Sequence, residues 1–138
     1  MADRVRKVSY TYVKVPSRPG QGASILAALK KAGVDLLAYS GFPAGGGKAQ
    51  IDLVTKDLGA VTKVARKEGW RLSKAKKGFR VQGEDKVGAV ERHLARLAAG
   101  KVNVTAADAV TAGAGRYGMI LWVKSKDYAK ASRLLGAS

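Results

Sequence analysis

The sequence contains no cysteine, a single histidine and few acidic residues. The absence of cysteine excludes disulfides, thiolate-ligated zinc and thiol chemistry. One histidine, His93, argues against a multi-histidine metal site and a conventional Ser-His-Asp triad. No arrangement of nucleophile, base and oxyanion donor is visible either. We therefore expect a protein that is not an enzyme, with no catalytic residues, no metal and no cofactor.

Long apolar segments are also missing. No run reaches membrane-spanning length, and the start "MADRVRKVSY" lacks the apolar core of a signal peptide. We expect a cytoplasmic protein that makes no contact with a membrane. The 138 residues allow one ordinary domain or two small ones.

Basic residues far outnumber acidic ones, 26 to 10, which gives a net charge of +16. A strongly basic protein attracts polyanions. The densest basic region, Lys63 to Arg80, contains one acid, but the other basic residues are spread over the whole chain. The excess therefore fits either a nucleic-acid or acidic-partner surface or a generally basic solvated one. We expect only weak, non-specific association with nucleic acid.

The two halves of the chain resemble each other. Six residues of the first half match six of the second at one constant offset: Val13, Gly20, Leu26, Leu29, Val34 and Leu36 with Val81, Gly88, Leu94, Leu97, Val102 and Val104. A later block matches at an offset two residues longer: Ala49, Ile51, Leu53, Asp57, Leu58 and Val64 with Met119, Leu121, Val123, Asp127, Tyr128 and Leu134. We expect the two extra residues in the hairpin between the two middle strands of the second half.

Each half is predicted to form the same succession of elements. The first gives strands at 6–15, 34–42, 48–55 and 70–76 and helices at 20–32 and 57–68, and the second gives strands at 77–83, 101–110 and 116–124 and helices at 85–99 and 126–136. This β-α-β-β-α-β order predicts an α+β fold of two tandem ferredoxin-like units, with antiparallel sheets in the order 4-1-3-2 and helices on one face. The units are residues 5–76 and 77–138. The last strand of the second unit is missing or supplied from elsewhere.

The stretch "VPSRPGQGASI" joins the first strand to the first helix. Pro19 fixes φ near the value of a first helical turn. Gly20 and Gly22 have no Cβ and allow a close approach of the backbone to another part of the protein or to a small ligand.

The segment "VKVPSRPGQGASILAALKKAGVDLLAYSG" resembles the opening of an ACT domain, with its Pro-Gly turn, apolar helix, Ala-Gly-Val-Asp junction and apolar strand. The segment "VQGEDKVGAVERHLARLAAGKVNVTAADA" resembles it more faintly, because Val87 replaces the proline. The resemblance covers nearly the whole chain and is to small stand-alone tandem ACT-domain proteins. It implies a regulatory module that binds a small effector, usually an amino acid, near an interface between units.

The resemblance also implies where the effector binds. A glycine-rich helix N-terminus offers unpaired N–H groups to a carboxylate, and the following strand begins with Asp35 in the first unit and Asn103 in the second. The implied ligand-binding residues are Arg18, Pro19, Gly20, Gln21, Gly22, Asp35, Gly88 and Asn103. Glu84 and Asp85 oppose carboxylate binding at the second turn. The first glycine turn fits simple packing against a neighbouring unit equally well, and for the second turn such packing is the favoured interpretation.

Other signals are weaker. The stretch "PAGGGKAQ" lacks the spacing of a phosphate-binding loop and is predicted to be a hairpin tip. His93 takes the place of Ile25 and is expected to be partly buried at an interface, and Trp122, on the sheet face away from the helices, to mark a protein–protein surface. We expect a homodimer. The alternative function is a basic ferredoxin-like nucleic-acid-binding protein, although the aromatic signature of RNA-recognition modules is absent.

Overall fold

The computed structural model describes residues 3–138. They form six strands, four helices and a short 3-10 turn at Ser125–Asp127. The strands are β1 (Arg4–Pro16), β2 (Ala38–Gly45), β3 (Lys48–Thr55), β4 (Lys76–Glu84), β5 (Ala106–Gly113) and β6 (Arg116–Trp122). The helices are α1 (Gln21–Lys31), α2 (Leu58–Glu68), α3 (Glu91–Ala99) and α4 (Tyr128–Leu135). None of these four helices is long and apolar enough to cross a membrane.

The chain divides into two compact units. The first unit is Ser9–Lys76, and the second combines the described residues up to Val8 with Lys77–Ser138. The sequence placed the start of the first unit at residue 5, whereas in the structure residues 5–8 group with the second. Strand β1 therefore serves both units, with its first residues in one and the remainder in the other.

In the first unit the strands follow the order β2-β3-β1, and neighbouring strands are antiparallel. Alternate residues of β1 and β3 point to one face, where both helices cover them. The buried core formed there consists of Val13, Val15, Ile25, Leu29, Ile51, Leu53, Val61 and Val64. Helix α2 begins where the side chain of Asp57 accepts a hydrogen bond from the N–H of Ala60, as the sequence predicts for an N-cap.

The predicted strand at 70–76 is wrong. Only Leu72 forms a β-bridge, with Val13, and the N–H of Ser73 donates to the carbonyl of Tyr12 over 2.8 Å. The Ser73 hydroxyl accepts from the N–H of Tyr12 over 3.0 Å, so a side chain occupies the place of the next ladder bond. In the first unit a single β-bridge thus takes the place of the predicted fourth strand, and β4 begins only at Lys76.

The second unit has the strand order β4-β6-β5, with the first residues of β1 on the other side of β4. Val5 belongs to its buried core with residues such as Phe79, Leu97 and Leu121. The backbone of Ser138 bonds Val5 and Lys7, over 3.1 and 2.9 Å. The start of the chain therefore supplies the fourth strand that the sequence left open.

The two hairpins have equal length, so the expected longer hairpin in the second unit is wrong. Gly45 pairs with Lys48 across one tip and Gly113 with Arg116 across the other, each next to a bulge. The two extra residues lie after β6, where the chain forms the 3-10 turn at Ser125–Asp127. The sequence misplaced them because side chains in a strand repeat every two residues, so a shift of two leaves the apolar pattern unchanged.

Candidate functional site

The turn between β1 and α1 is an exposed corner held by backbone geometry. Gly20 is the N-cap of α1 with φ of 90°, a left-handed conformation that glycine adopts without strain. The N–H of Ser17 donates to the carbonyl of Gly47 over 2.8 Å, which fastens the turn to the β2–β3 hairpin tip. Arg18, Pro19 and Gly20 are exposed, whereas Gln21 and Gly22 are partly buried. The structure thus brings the five predicted residues of this turn together.

The close approach that Gly22 permits is made by the protein's own Tyr39. A Cβ at Gly22 would lie 2.7 Å from the phenolic oxygen of Tyr39, closer than such atoms pack. Tyr39 lies in β2 and is partly exposed. Sequence reasoning missed this tyrosine, because nothing in the spacing of β2 links it to the first turn of α1.

The corresponding turn of the second unit is fastened in the same way but differs at the helix. The N–H of Asp85 donates to the carbonyl of Gly115 over 2.8 Å, and Gly88 has φ of 80°. Helix α3, however, begins only at Glu91. Val87, which replaces the proline, is fully exposed. Gly88 is therefore separated from the helix N-terminus, whereas Gly20 is next to it.

Asp35 and Asn103 line two equivalent surface depressions, one in each unit, of about 460 and 500 Å³. Both side chains are exposed. The first depression is lined by Leu26, Leu29, Lys30, Gly33, Val34, Asp35 and Leu36. The second is lined by Leu94, Ala98, Lys101, Val102, Asn103 and Val104. Six of the seven residues of the first lining, all except Leu29, have their counterparts in the second lining at the constant offset of the repeat.

Within one unit, the structure does not bring Asp35 to the glycine turn. The turn precedes the first residue of α1 and Asp35 follows the last, and a helix of 11 residues is about 16 Å long. Gly88 and Asn103 are likewise separated by α3. Because an α-amino acid carries its carboxylate and ammonium on one carbon, it cannot contact both ends of α1 at once.

A buried polar cluster surrounds Asp3 in the second unit, and the sequence did not predict it. The Asp3 side chain is 3% exposed and that of His93 is 2% exposed, and Nε2 of His93 lies 2.7 Å from Oδ2 of Asp3. The Tyr117 hydroxyl donates to the same oxygen, and Arg92 pairs with the other oxygen over 2.5 Å. Gly83 makes room for the carboxylate, because a Cβ there would collide with it. His93 is therefore fully buried, not partly buried as expected.

The cluster shifts the pKa values of Asp3 and Tyr117, among others. Burial raises the pKa of Asp3, but the hydrogen bonds from Tyr117, His93 and Arg92 and the positive charge of Arg92 outweigh it, and the net pKa is lowered. Burial and the hydrogen bond to Asp3 raise the pKa of Tyr117 to about 12. Both shifts favour an ionised Asp3 beside a neutral Tyr117. The cluster ties the beginning of β1 to α3 and β6 through Asp3, His93 and Tyr117.

The structure also tests the expectation for Trp122. Trp122 is 8% exposed, so the prediction that it marks a free protein–protein surface is wrong. Within residues 3–138, no group of three or more histidine and acidic side chains is placed to hold a metal ion.

Comparison of the sequence with models of protein families found no match. Comparison with curated proteins found none either. Solved structures do match. One is the protein BT0572 from Bacteroides thetaiotaomicron, with a TM-score of 0.79 at 14% identity over 97% of this chain and 88% of that one.

Two other matches are parts of aspartate kinase. The regulatory subunit from Thermus thermophilus, in a ligand-free form, has a TM-score of 0.62 at 16% identity over 98% of this chain and 93% of that one. A putative C-terminal regulatory domain from Porphyromonas gingivalis has a TM-score of 0.60 at 15% identity over 98% and 95%. The chain has an ACT-like fold. At identities this low, the matches show the fold of the chain.

Proposed function

We propose that this protein is a non-catalytic regulatory module of two tandem ACT-type units, which binds an amino acid as a homodimer. The observation that carries the proposal is that the two ends of α1 offer complementary chemistry. One end suits a carboxylate and the other suits an ammonium group. Its likeness to regulatory parts of aspartate kinase supports a regulatory role.

The carboxylate end is the turn from Arg18 to Gly22. The N–H of Ser24 is bonded to the carbonyl of Gly20, which leaves the N–H groups of Gly22 and Ala23 without a backbone acceptor among the described residues. No acidic side chain lies in the first turn of α1. Free N–H groups, the positive end of the helix dipole and the Arg18 guanidinium together favour an anion.

The ammonium end is Asp35. Its carboxylate is exposed at the rim of a depression whose floor is largely aliphatic, with Leu26, Leu29 and Val34 among the lining residues. A charged oxygen next to an apolar surface suits an α-ammonium group whose side chain packs on the floor. In the second unit Asn103 offers a neutral amide in the corresponding place.

One unit alone cannot use both ends of α1, because they lie a full helix apart. An amino acid therefore takes the turn from one copy of the protein and Asp35 from a second copy, with the two α1 helices antiparallel across the interface. This arrangement explains why a site of this kind requires a dimer. It gives the exposed Leu26 of α1 a partner.

We expect the first unit to bind more tightly than the second. The second turn has exposed Glu84 and Asp85, which repel a carboxylate, and Gly88 is set apart from the helix by the residues before Glu91. Asn103 also lacks the charge of Asp35. These differences predict that substitutions in the first unit affect binding more than their counterparts in the second.

The experiment is a thermal-shift screen of the twenty L-amino acids, followed by calorimetry on the amino acid that shifts the melting temperature most. A ligand at about 100 times its Kd adds roughly 2.7 kcal/mol to the stability of the folded state. Asp35→Ala and Gly20→Val weaken binding, whereas the matched changes Asn103→Ala and Gly88→Val weaken it less. The loss of one charge-assisted contact at Asp35 lowers affinity about ten-fold to a hundred-fold.

The proposal fails if no amino acid produces a shift. The assignment of the site fails if both first-unit variants, shown by circular dichroism to be folded, bind with the affinity of the wild type.

A further inference from the structure

The outer surface of α2 carries a cluster of basic side chains that the proposed effector site does not use. Lys63, Arg66 and Lys67 are exposed on this helix. At 100° per residue they fall within one arc opposite the buried Val61, Val64 and Ala65. We call these three residues the α2 basic face.

The α2 basic face lies within a longer basic segment. Lys56 precedes the helix, and Arg71 and Lys74 follow it, all exposed. The acids in the segment are Asp57, which caps the helix through the N–H of Ala60, and Glu68 at the helix end. Among the described residues no ion pair to Lys63, Arg66 or Lys67 is seen, so their charges face solvent.

The surface has no apolar anchor. Among residues 3–138, the exposed large hydrophobic side chains are Leu26, Tyr39, Phe42, Val87 and Val110, and all of them lie outside α2 and its flanks. Interfaces between proteins rely on buried aromatic and aliphatic side chains at their centre. Contacts to the phosphates of nucleic acid need only cations at suitable spacing, and lysine and arginine supply them.

We propose that the α2 basic face binds the phosphate backbone of nucleic acid, without reading its sequence. Residues 63, 66 and 67 span one helical turn, about 5.4 Å along the axis, so their cations contact neighbouring phosphates. The three side chains contact phosphates rather than base edges, and contacts of that kind carry no sequence information. The binding is salt-dependent and independent of the effector.

The test measures binding of a short fluorescent DNA duplex of mixed sequence by anisotropy over a series of salt concentrations. The logarithm of the binding constant falls with the logarithm of salt by about 0.9 for each phosphate contact. The variant Lys63→Gln/Arg66→Gln/Lys67→Gln is expected to lower that slope by about 2 to 3. A scrambled duplex of the same length is expected to bind equally well.

The matched control removes three charges from the corresponding helix α4 of the second unit and from the 3-10 turn before it: Lys126→Gln/Lys130→Gln/Arg133→Gln. These residues are also exposed. We expect the control to change the slope by less than 1, and both variants to keep the melting temperature and the effector affinity of the wild type.

Three results would overturn the proposal. The first is a wild type that does not bind the duplex at low salt. The second is an equal loss of slope in the two variants, which would mean that net charge alone attracts the duplex. The third is unchanged binding of the duplex by the α2 variant, together with full displacement of the duplex from the wild type by polyglutamate of equal charge. That result would mean that the duplex binds another part of the surface.

Discussion

Nε2 of His93 lies 2.7 Å from Oδ2 of Asp3, a residue 90 positions earlier in the chain. This pair fastens the beginning of the chain to the first turn of α3. Together with the bonds from Ser138 to Val5 and Lys7, it fixes the start of β1 in the second unit. The first unit has no equivalent, because Ile25 stands where His93 does in the repeat.

Replacing Asp3 is expected to destabilise the protein strongly. The variant Asp3→Asn keeps the shape of the side chain but removes the charge that faces Arg92 and His93. Breaking a buried ion pair costs about 3–5 kcal/mol, and we expect about 3 because Arg92 is partly exposed. Urea unfolding measures the change. The control Asp85→Asn removes an exposed acid from the same unit and should stay within about 0.5 kcal/mol of the wild type.

At low pH, Asp3 should no longer stabilise the folded state. Its pKa is lowered in the folded state from its usual value of 3.8, so the stability that its charge contributes is present above that pH and is lost as the pH falls through the folded pKa. Urea unfolding of the wild type and Asp3→Asn should therefore differ by a constant amount from pH 7 down to about pH 4 and converge below it. A difference that persists undiminished well below the folded pKa would mean that the charge of Asp3 does not matter.

Tyr117 should ionise at a higher pH than an ordinary tyrosine. Its pKa is raised from 10.0 to about 12, which means that the neutral phenol stabilises the fold below pH 10 and that this stabilisation is lost between about pH 10 and pH 12. The absorbance of phenolate, measured during a pH titration, gives the ionisation directly. Subtracting the titration of Tyr117→Phe from that of the wild type should leave one group that titrates near 12. A difference curve centred at 10 would contradict both the burial of Tyr117 and its hydrogen bond to Asp3.

Gly22 and Tyr39 should behave as a coupled pair. Alanine is favoured over glycine in a helix by about 1 kcal/mol, but in Gly22→Ala the new methyl meets the Tyr39 hydroxyl. The substitution should therefore be more favourable by about 0.5–1 kcal/mol in a Tyr39→Phe background than in the wild type. Chemical unfolding of the four members of the double-mutant cycle tests this. The control is Gly20→Ala, which should cost about 1 kcal/mol in both backgrounds because of its positive φ. Purely additive effects would show that the hydroxyl does not limit position 22.

Much of this fold could be predicted from local patterns in the sequence. The strand Lys48–Thr55 has the predicted bounds, since apolar alternation and the preceding glycines define it. Helix α2 begins one residue after its predicted start, because Asp57 is a strong N-cap signal.

Two of the differences came from contacts between distant parts of the chain. The replacement of a strand at 70–76 by one bridge depends on the hydroxyl of Ser73, and the cluster at Asp3 joins residues from three separate segments. One signal was present in the sequence. Gly83 lies within β4, and a glycine inside a strand often marks the close approach of another group to the backbone, here the Asp3 carboxylate. The candidate ligand residues were each located, but their separation by α1 follows only from the fold.

A mixing experiment tests the central claim, that two copies share each amino-acid site. Gly20→Val disrupts the carboxylate-binding turn, and Asp35→Ala removes the carboxylate that binds the ammonium group. In dimers of either variant alone, every first-unit site therefore lacks one of its two binding elements. After subunit exchange, a mixed dimer has one site with both ends intact and one with both ends damaged. Calorimetry with the amino acid selected by thermal shift should then detect wild-type affinity at about half the wild-type stoichiometry in purified mixed dimers. Mixed dimers that bind no better than the two parents would contradict the account.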